Sequence, residues 1–353
     1  MRVLAVTHSL GCNGAAWALC RVLVAIKDAG GTVDVIYKGN EPFAEYLQDH
    51  GVGIIAQAQT RQYDVALVNT IIDHGWVEEL AAFLPVVFWV HEGASYRDNE
   101  IRLAIKWQQA FRLSSRLVFV NKVNEYQSES VFKSFLGGIE PHRVLHVNYG
   151  IDIPVQARVR QNRESPGSSI ISVGSVYPRK CPDDIVDAVT RMGNPKIHCT
   201  FVGGLDWMHL NGQSMKDSLA KYPALFTLAG EIMDEQQKLR FLRDSDVFCS
   251  ASCDETFNIS ALEAAFMGLP LALSDLPCYQ GIWKHGVNAL LAPVGAIDCL
   301  TWNLRALTQD QHLAARLGRA AMQTAAQYTL EENLRGMTDA LLQAVHDPVR
   351  RPG

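Results

Sequence analysis

Short runs of contiguous apolar residues recur along the chain, separated by stretches with apolar positions at helical spacing. In the first half the runs fall at 2–7, 32–37, 51–55, 64–69, 86–91 and 116–121, rich in Val, Ile and Leu. They do not alternate apolar with polar, so they read as strands buried on both faces, the signature of a parallel sheet. The stretches at 14–29, 42–50, 77–83 and 98–114 read as helices between them. The second half repeats the scheme, with strands at 169–174, 198–204, 225–230, 246–252, 269–274 and 288–293 and helices at 182–192, 214–220, 234–244 and 258–267. Alternating strands and helices predict an α/β protein with parallel sheets. The join lies in 151–169, polar and rich in Arg, Pro, Gly and Ser, as linkers are. Two tandem doubly wound, Rossmann-like units follow, with ligands expected off the carboxyl ends of the strands.

Composition narrows the class. A chain of 353 residues suits roughly two ordinary domains. Its hydrophobic fraction of 48% and charged fraction of 20% are those of a globular protein with large cores. A formal charge of -5 gives no case for nucleic acid as a partner. No apolar run approaches the ~20 residues of a membrane span, and the N-terminus reads as a buried first strand, not a signal peptide. The eight cysteines are scattered without a C-x2-C pair. They are expected to be reduced, in a cytoplasmic protein, and no metal site is expected.

Candidate chemistry concentrates in 246–270. A buried strand runs into a short acidic loop holding Glu255, then into a helix opened by Asn258–Ser260, carrying Glu263 and closed by Gly268 and Pro270. A helix start after a sheet strand offers free N–H groups and partial positive charge, which suits phosphate. Ionised carboxylates only accept hydrogen bonds, which suits polyhydroxylated groups. A sugar joined to a nucleotide by a diphosphate needs both features. Ser260 to Glu263 also reads as a capping box, in which Glu263 would satisfy only a helix terminus.

Seven residues separate Glu255 from Glu263. The spacing resembles the E-x7-E motif of retaining GT-B glycosyltransferases, family 4. That pattern, E-x-F-G-L/I-x-x-L-E-A-x-A-x-G-x-P, is met by Glu255, Phe257, Ile259, Leu262, Glu263, Ala264, Gly268 and Pro270. Asn258 stands where the family usually has Gly, and Asn is the residue after Gly most tolerant of left-handed dihedrals. A second stretch, 173–180, resembles the family's G-R-L-x(3)-K-G, whose cations contact the donor diphosphate. Gly174 and Lys180 match, Ser175 replaces the Arg and Cys181 the last Gly, and Arg179 is positioned to supply the missing cation. Cations are needed because the leaving diphosphate gains negative charge as the glycosidic bond breaks. Asp183 and Asp184 lack metal-motif spacing and read as first-turn acids after Pro182.

The loop after the first strand, 8–16, resembles the family's Gly-Gly loop, with Asn13-Gly14 as the pair, although an ordinary strand-to-helix turn explains it as well. It is not a dinucleotide fingerprint. His91, ending an apolar strand, matches a position where the family often has a His near the reacting sugar; a structural hydrogen-bonding role is the alternative. Glu92 is placed to orient its ring or to pair elsewhere. Helix 98–114 carries Arg102, Lys106, Arg112 and, if extended, Arg116 on one arc. The arc suits either solvent or contact with an anionic membrane surface at the inner face.

The resemblance implies the GT-B architecture, with an interdomain cleft and a C-terminal crossover helix. The domains expected are 1–155, acceptor-binding, with helix 329–346 packing back on it, and 156–328, nucleotide-sugar-binding. It implies a retaining glycosyltransferase moving a sugar from a nucleoside diphosphate sugar to a hydroxyl of a glycan, lipid-linked or small-molecule acceptor, without cofactor or metal. His91 and Glu255 are the candidate catalytic residues, and Gly14, Arg179, Lys180, Phe257, Asn258, Ile259, Ser260 and Glu263 the candidate donor-binding ones. Alternatives are a nucleotide-sugar 2-epimerase of the same fold, which needs no acceptor, and a non-catalytic sugar-binding protein.

Overall fold

The computed structural model describes residues 1–92, 100–121, 139–153, 168–176, 178–204 and 213–347, with 100–105 and 213–214 described in backbone only. It divides into two compact units, Met1–Gly150 with Leu330–Gly353, and Ile151–Thr329.

The first unit is built on a seven-stranded sheet in the order β3-β2-β1-β4-β5-β6-β7. Its strands are β1 Arg2–Val6, β2 Thr32–Ile36, β3 Gly53–Ile55, β4 Val65–Asn69, β5 Val86–Val90, β6 Arg116–Phe119 and β7 Val144–His146. Every pairing is parallel. Every residue of β4 and β5 is buried, which is why their sequences carry no alternation. Helices α1 Gly14–Asp28, α2 Pro42–Asp49, α3 His74–Ala81 and α4 Glu100–Leu113 make the crossovers. Helix α3 begins three residues before the predicted 77, and it stops short of Leu84-Pro85, since the residue before proline disfavours helical dihedrals. Strand β7, short and only partly buried, carries too weak a signal to read.

The second unit has a six-stranded parallel sheet in the order β10-β9-β8-β11-β12-β13. Its strands are β8 Ser169–Val173, β9 His198–Val202, β10 Phe226–Gly230, β11 Val247–Ser250, β12 Leu271–Ser274 and β13 Leu290–Ala292. Helices α5 Pro182–Met192, α6 Gln213–Lys221, α7 Glu235–Arg243 and α8 Ile259–Phe266 connect them, followed by α9 Ile297–Gln309 and α10 Gln311–Ala325. The last two were absent from the sequence reading, although buried Leu300, Leu304, Leu307 and Leu317 mark their inner faces.

Helix α11, Leu330–His346, packs on the first unit against α1, β4, β5 and β6. Arg116 helps to hold it. It lies at the start of β6, 4% exposed, and donates to Gln343 O at 3.1 Å and Asp347 O at 3.2 Å. Arg116 is therefore no part of a basic stripe on α4, which ends at Leu113; Lys106 and Arg112 are exposed there, and the Arg102 side chain lies outside the described residues. Among the described residues, no helix is long and apolar enough to cross a membrane.

In both sheets the strand order reverses direction once, between β1 and β4 and between β8 and β11. Loops leaving the carboxyl ends of such neighbours diverge to opposite faces and leave a crevice. Close backbone approach shapes the second crevice. A Cβ on Gly203, whose φ is +149°, would fall 2.0 Å from Gly174 O. Gly203→Ala is expected to destabilise the protein by more than ~2 kcal/mol, read from its urea midpoint; an unchanged midpoint would mean the two strand ends part freely.

Candidate active site

The second unit's crevice is walled by two loops. One leaves β8 through Gly174 and enters a 3-10 turn, Pro178–Lys180, before α5. The other leaves β11 and carries 251–258 to α8. Their polar side chains meet at Glu255, which is 5% exposed. Lys180 Nζ donates to Glu255 Oε1 at 2.5 Å, and Arg179 Nη1 lies 3.6 Å from Oε2. Ser252 Oγ donates to Oε1 at 2.8 Å and Arg179 Nη1 to Asp254 O at 3.0 Å. Burial alone pushes the Glu255 carboxyl up. The charges of Lys180 and Arg179, with hydrogen bonds from Lys180 and Ser252, outweigh it and hold the group below the usual carboxylate range. Lys180, Gly174, Ser175, Phe201 and Ser250 line a small cavity on the same side.

Asn258 begins α8 with φ 64° and ψ 73°, in the left-handed region. That dihedral accounts for glycine at this place in the resembling pattern, and asparagine tolerates it better than other side chains. Its Oδ1 caps the helix by accepting from Ala261 N at 3.1 Å, and its Nδ2 donates to Ser250 Oγ at 3.1 Å and Tyr279 OH at 2.9 Å. Beyond it, the N–H groups of Ile259 and Ser260 open the helix and have no intrahelical acceptor. Phe257, 3% exposed, packs edge-on against Tyr328, which withdraws its ring from the crevice.

Glu263 is 3% exposed, and its Oε1 accepts from Lys238 Nζ of α7 at 2.7 Å. Asn258 is the helix cap, so the capping box from Ser260 does not form. Lys238 is a site residue the sequence reading missed, because one lysine on an exposed helix carries no local signal. Ser250, Ser252 and Tyr279 were missed too. The serines did leave a trace, as hydroxyls at the end of an otherwise apolar strand.

The remaining candidates, Gly14 and His91, lie in the first unit. Asn13 caps α1 by accepting from Ala16 N at 2.9 Å, and Gly14 is the first helical residue. The His91 ring is buried, with Nε2 against Asn69 Oδ1 at 2.7 Å and Nδ1 against Tyr149 OH. Asn69 Oδ1 can only accept, so Nε2 carries the proton and Tyr149 donates to Nδ1. Burial lowers this imidazole to about 3. Both nitrogens are occupied, so the ring is held as a neutral structural hydrogen-bonder. Glu92 does not orient it: its Oε2 accepts from the N–H groups of Ile71 and His91, each at 3.0 Å. Burial raises the Glu92 carboxyl to about 7, against those backbone donors.

A second histidine stands at the β1/β4 reversal. His8 Nδ1 lies 2.8 Å from Asp73 Oδ2 and 3.2 Å from Thr70 Oγ1. The hydrogen bond to Asp73 raises its pKa above the ordinary value; burial opposes this, and the charges of Asp73, Glu92 and Glu41 add to it. Thr70 has φ 77°, an uncommon dihedral for a β-branched residue, which brings its hydroxyl to the pair.

Two parallel doubly wound units, with the terminal helix returned to the first, define the GT-B fold, and solved structures agree. HepE from Anabaena, in complex with UDP and glucose, aligns with a TM-score of 0.78 over 97% of this chain and 99% of that one, at 16% identity. Sucrose-phosphate synthase from Thermosynechococcus elongatus gives 0.75 over 97% and 98%, also at 16% identity. Residues 156–324, nearly the whole of the second unit, match the family model described as glycosyl transferases group 1. The chain is also similar to a D-inositol 3-phosphate glycosyltransferase of Kribbella flavida, 26% identical over 205 residues, which are 54% of this chain and 48% of that protein. The chain thus spans about half the length of that relative.

Two outcomes are expected. Asn258→Ala loses the cap and strains the backbone, for about 2 kcal/mol together, whereas Asn258→Gly keeps the dihedral and loses less, as chemical denaturation will show. The second concerns pH. Between about 3 and the unfolded value of 6.5, the unfolded chain protonates His91 and the native protein does not, so stability falls as pH falls. Between the unfolded 4.5 and about 7, the unfolded chain ionises Glu92 and the native protein keeps the proton, so stability falls as pH rises. Urea midpoints of Glu92→Gln should decline more steeply towards acid than wild type, and those of His91→Gln more steeply towards neutrality.

Proposed function

We propose that the protein is a retaining glycosyltransferase that moves a sugar from a nucleoside diphosphate sugar to a hydroxyl of a glycan, lipid-linked or small-molecule acceptor. The observation that carries this reading is the Arg179–Lys180–Glu255 cluster at the β8/β11 reversal, set beside the opening N–H groups of α8. A donor's diphosphate would take Lys180, Arg179 and the N–H groups of Ile259 and Ser260, which together offset the charge that builds on the leaving group. Glu255, freed from Lys180, would accept from hydroxyls of the donor sugar, and Glu263, held by Lys238, from the ribose. UDP in the HepE complex supports this class of donor. The cations are supplied by side chains, so no metal is assigned to the chemistry.

Retention is inferred from the motif: the departing phosphate takes the acceptor's proton on the face it leaves. His91 is assigned an indirect role, holding Asn69 and Tyr149 in place, since its two ring nitrogens are engaged by them. Lys106 and Arg112, exposed on α4, leave an acceptor at an anionic membrane surface within the reading, and vesicle sedimentation decides that point.

Thermal shift against UDP, GDP, ADP, dTDP and their sugars tests the donor site. One nucleotide class should raise the melting temperature of wild type, by mass action, and fail to raise that of Lys180→Ala or Glu263→Ala. No shift with any of them would remove the donor assignment. NMR of the product's anomeric centre then reads the stereochemistry, and an inverted product would overturn retention.

A further inference from the structure

Cys181 and Cys253 are free thiols on the two loops that build the Glu255 cluster. Cys181 directly follows Lys180, and Cys253 stands two residues before Glu255. They converge on one atom: Cys253 N–H donates to Arg179 O at 2.9 Å, and Cys181 Sγ lies 3.8 Å from the same oxygen. Sharing that one carbonyl oxygen sets the two residues side by side across the loops. Cys181 has φ 45° and ψ 54°, where glycine is at ease and a side chain is carried against the backbone's preference. An outlier of this kind beside a candidate site points to a use for the side chain.

We propose that Cys181 and Cys253 form a dithiol site that a small-molecule disulfide oxidises to an intramolecular disulfide, tying the Arg179-Lys180 turn to the Glu255 loop. Cys253 is exposed and Cys181 half-buried, and burial, with the neighbouring Cys253, pushes the Cys181 thiol up to about 12. The order of events follows. The Cys253 thiolate attacks the oxidant's S–S bond, forming a mixed disulfide and releasing one thiol. Cys181 then loses its proton and attacks the Cys253 sulfur, forming the intramolecular bond and releasing the second thiol. Two protein thiols are oxidised, one small disulfide is reduced, and both protons leave on the released thiols.

The consequence for ligand binding rests on the donor reading above. Seating a diphosphate requires Lys180 to leave Glu255, so the turn and the loop must shift relative to each other. A covalent tie one residue from Lys180 and two from Glu255 holds them in the ligand-free pairing. Oxidation therefore closes the donor site, and by linkage a bound nucleotide protects the dithiol.

The test treats the full chain with oxidised glutathione, alkylates the remaining thiols and maps cross-linked peptides by mass spectrometry. UDP and GDP affinities of the reduced and oxidised forms are measured beside it by calorimetry. The expected result is a 181–253 cross-link and a roughly tenfold or greater loss of nucleotide affinity on oxidation, both abolished in Cys253→Ser. Cys181→Gly, which suits the left-handed backbone, should abolish both as well and keep the fold. Full alkylation of Cys181 and Cys253 after oxidant treatment would overturn the site, and a cross-linked protein that binds nucleotide as tightly as the reduced one would overturn its effect. If the reduced protein binds neither of these, ADP and dTDP are titrated in their place; failure of all four removes the donor reading, and the cross-link map alone then decides whether the dithiol site exists.

Discussion

An ionised carboxylate almost wholly withdrawn from water is the constraint around which the second unit is organised. Glu255 is 5% exposed, and burying such a charge without partners is prohibitive, so the chain must deliver compensating groups to it. Lys180 and Arg179 arrive from the end of β8, Ser252 from its own loop. The delivery depends on the sheet order, because only the reversal between β8 and β11 makes these two loops neighbours. It depends also on backbone that few residues can supply: the left-handed turn at Asn258, and the contact between Gly203 and Gly174 that leaves no room for a Cβ. The same balance sets the chemistry. On the proposed reading, cations committed to a carboxylate in the free protein are the groups a diphosphate would draw away, and the carboxylate so released would accept from sugar hydroxyls.

The first unit meets the same topological situation with different groups. Its reversal, between β1 and β4, gathers His8, Asp73 and Thr70, with Glu92 close by. Here an acidic neighbourhood favours a charged imidazole on His8, while burial keeps His91 neutral two strands away. The contrast shows how little residue type alone says. Both histidines follow apolar strands; a hydrogen-bonded carboxylate raises one, and burial lowers the other.

Much of the framework was legible from the chain. Unbroken Val, Ile and Leu runs gave away the parallel strands, because residues buried on both faces cannot alternate. The Glu255–Glu263 spacing and the glycine-like Asn258 marked the helix entry correctly, since both are local. Strand β7 and helices α9 and α10 escaped: the first through shortness, α9 because buried Thr301 and Asn303 interrupt its apolar face, and α10 because its buried face is mostly Ala and Gly. The terminal part of the basic arc was misplaced, since a strand start after Ser114-Ser115 resembles a continuing helix in its charges.

What the sequence determined by itself was the alternation of strands and helices, and with it the fold class, and the helix entry at Asn258. Those are consequences of periodicity and of backbone preference, which act over a few residues. Only the tertiary structure decided the partnerships: Lys180 with Glu255 across 75 positions, Lys238 with Glu263 across 25, and His8 with Asp73 across 65. An ion pair forms where two loops happen to approach and two rotamers agree. Nothing in the local spacing of either partner records the other.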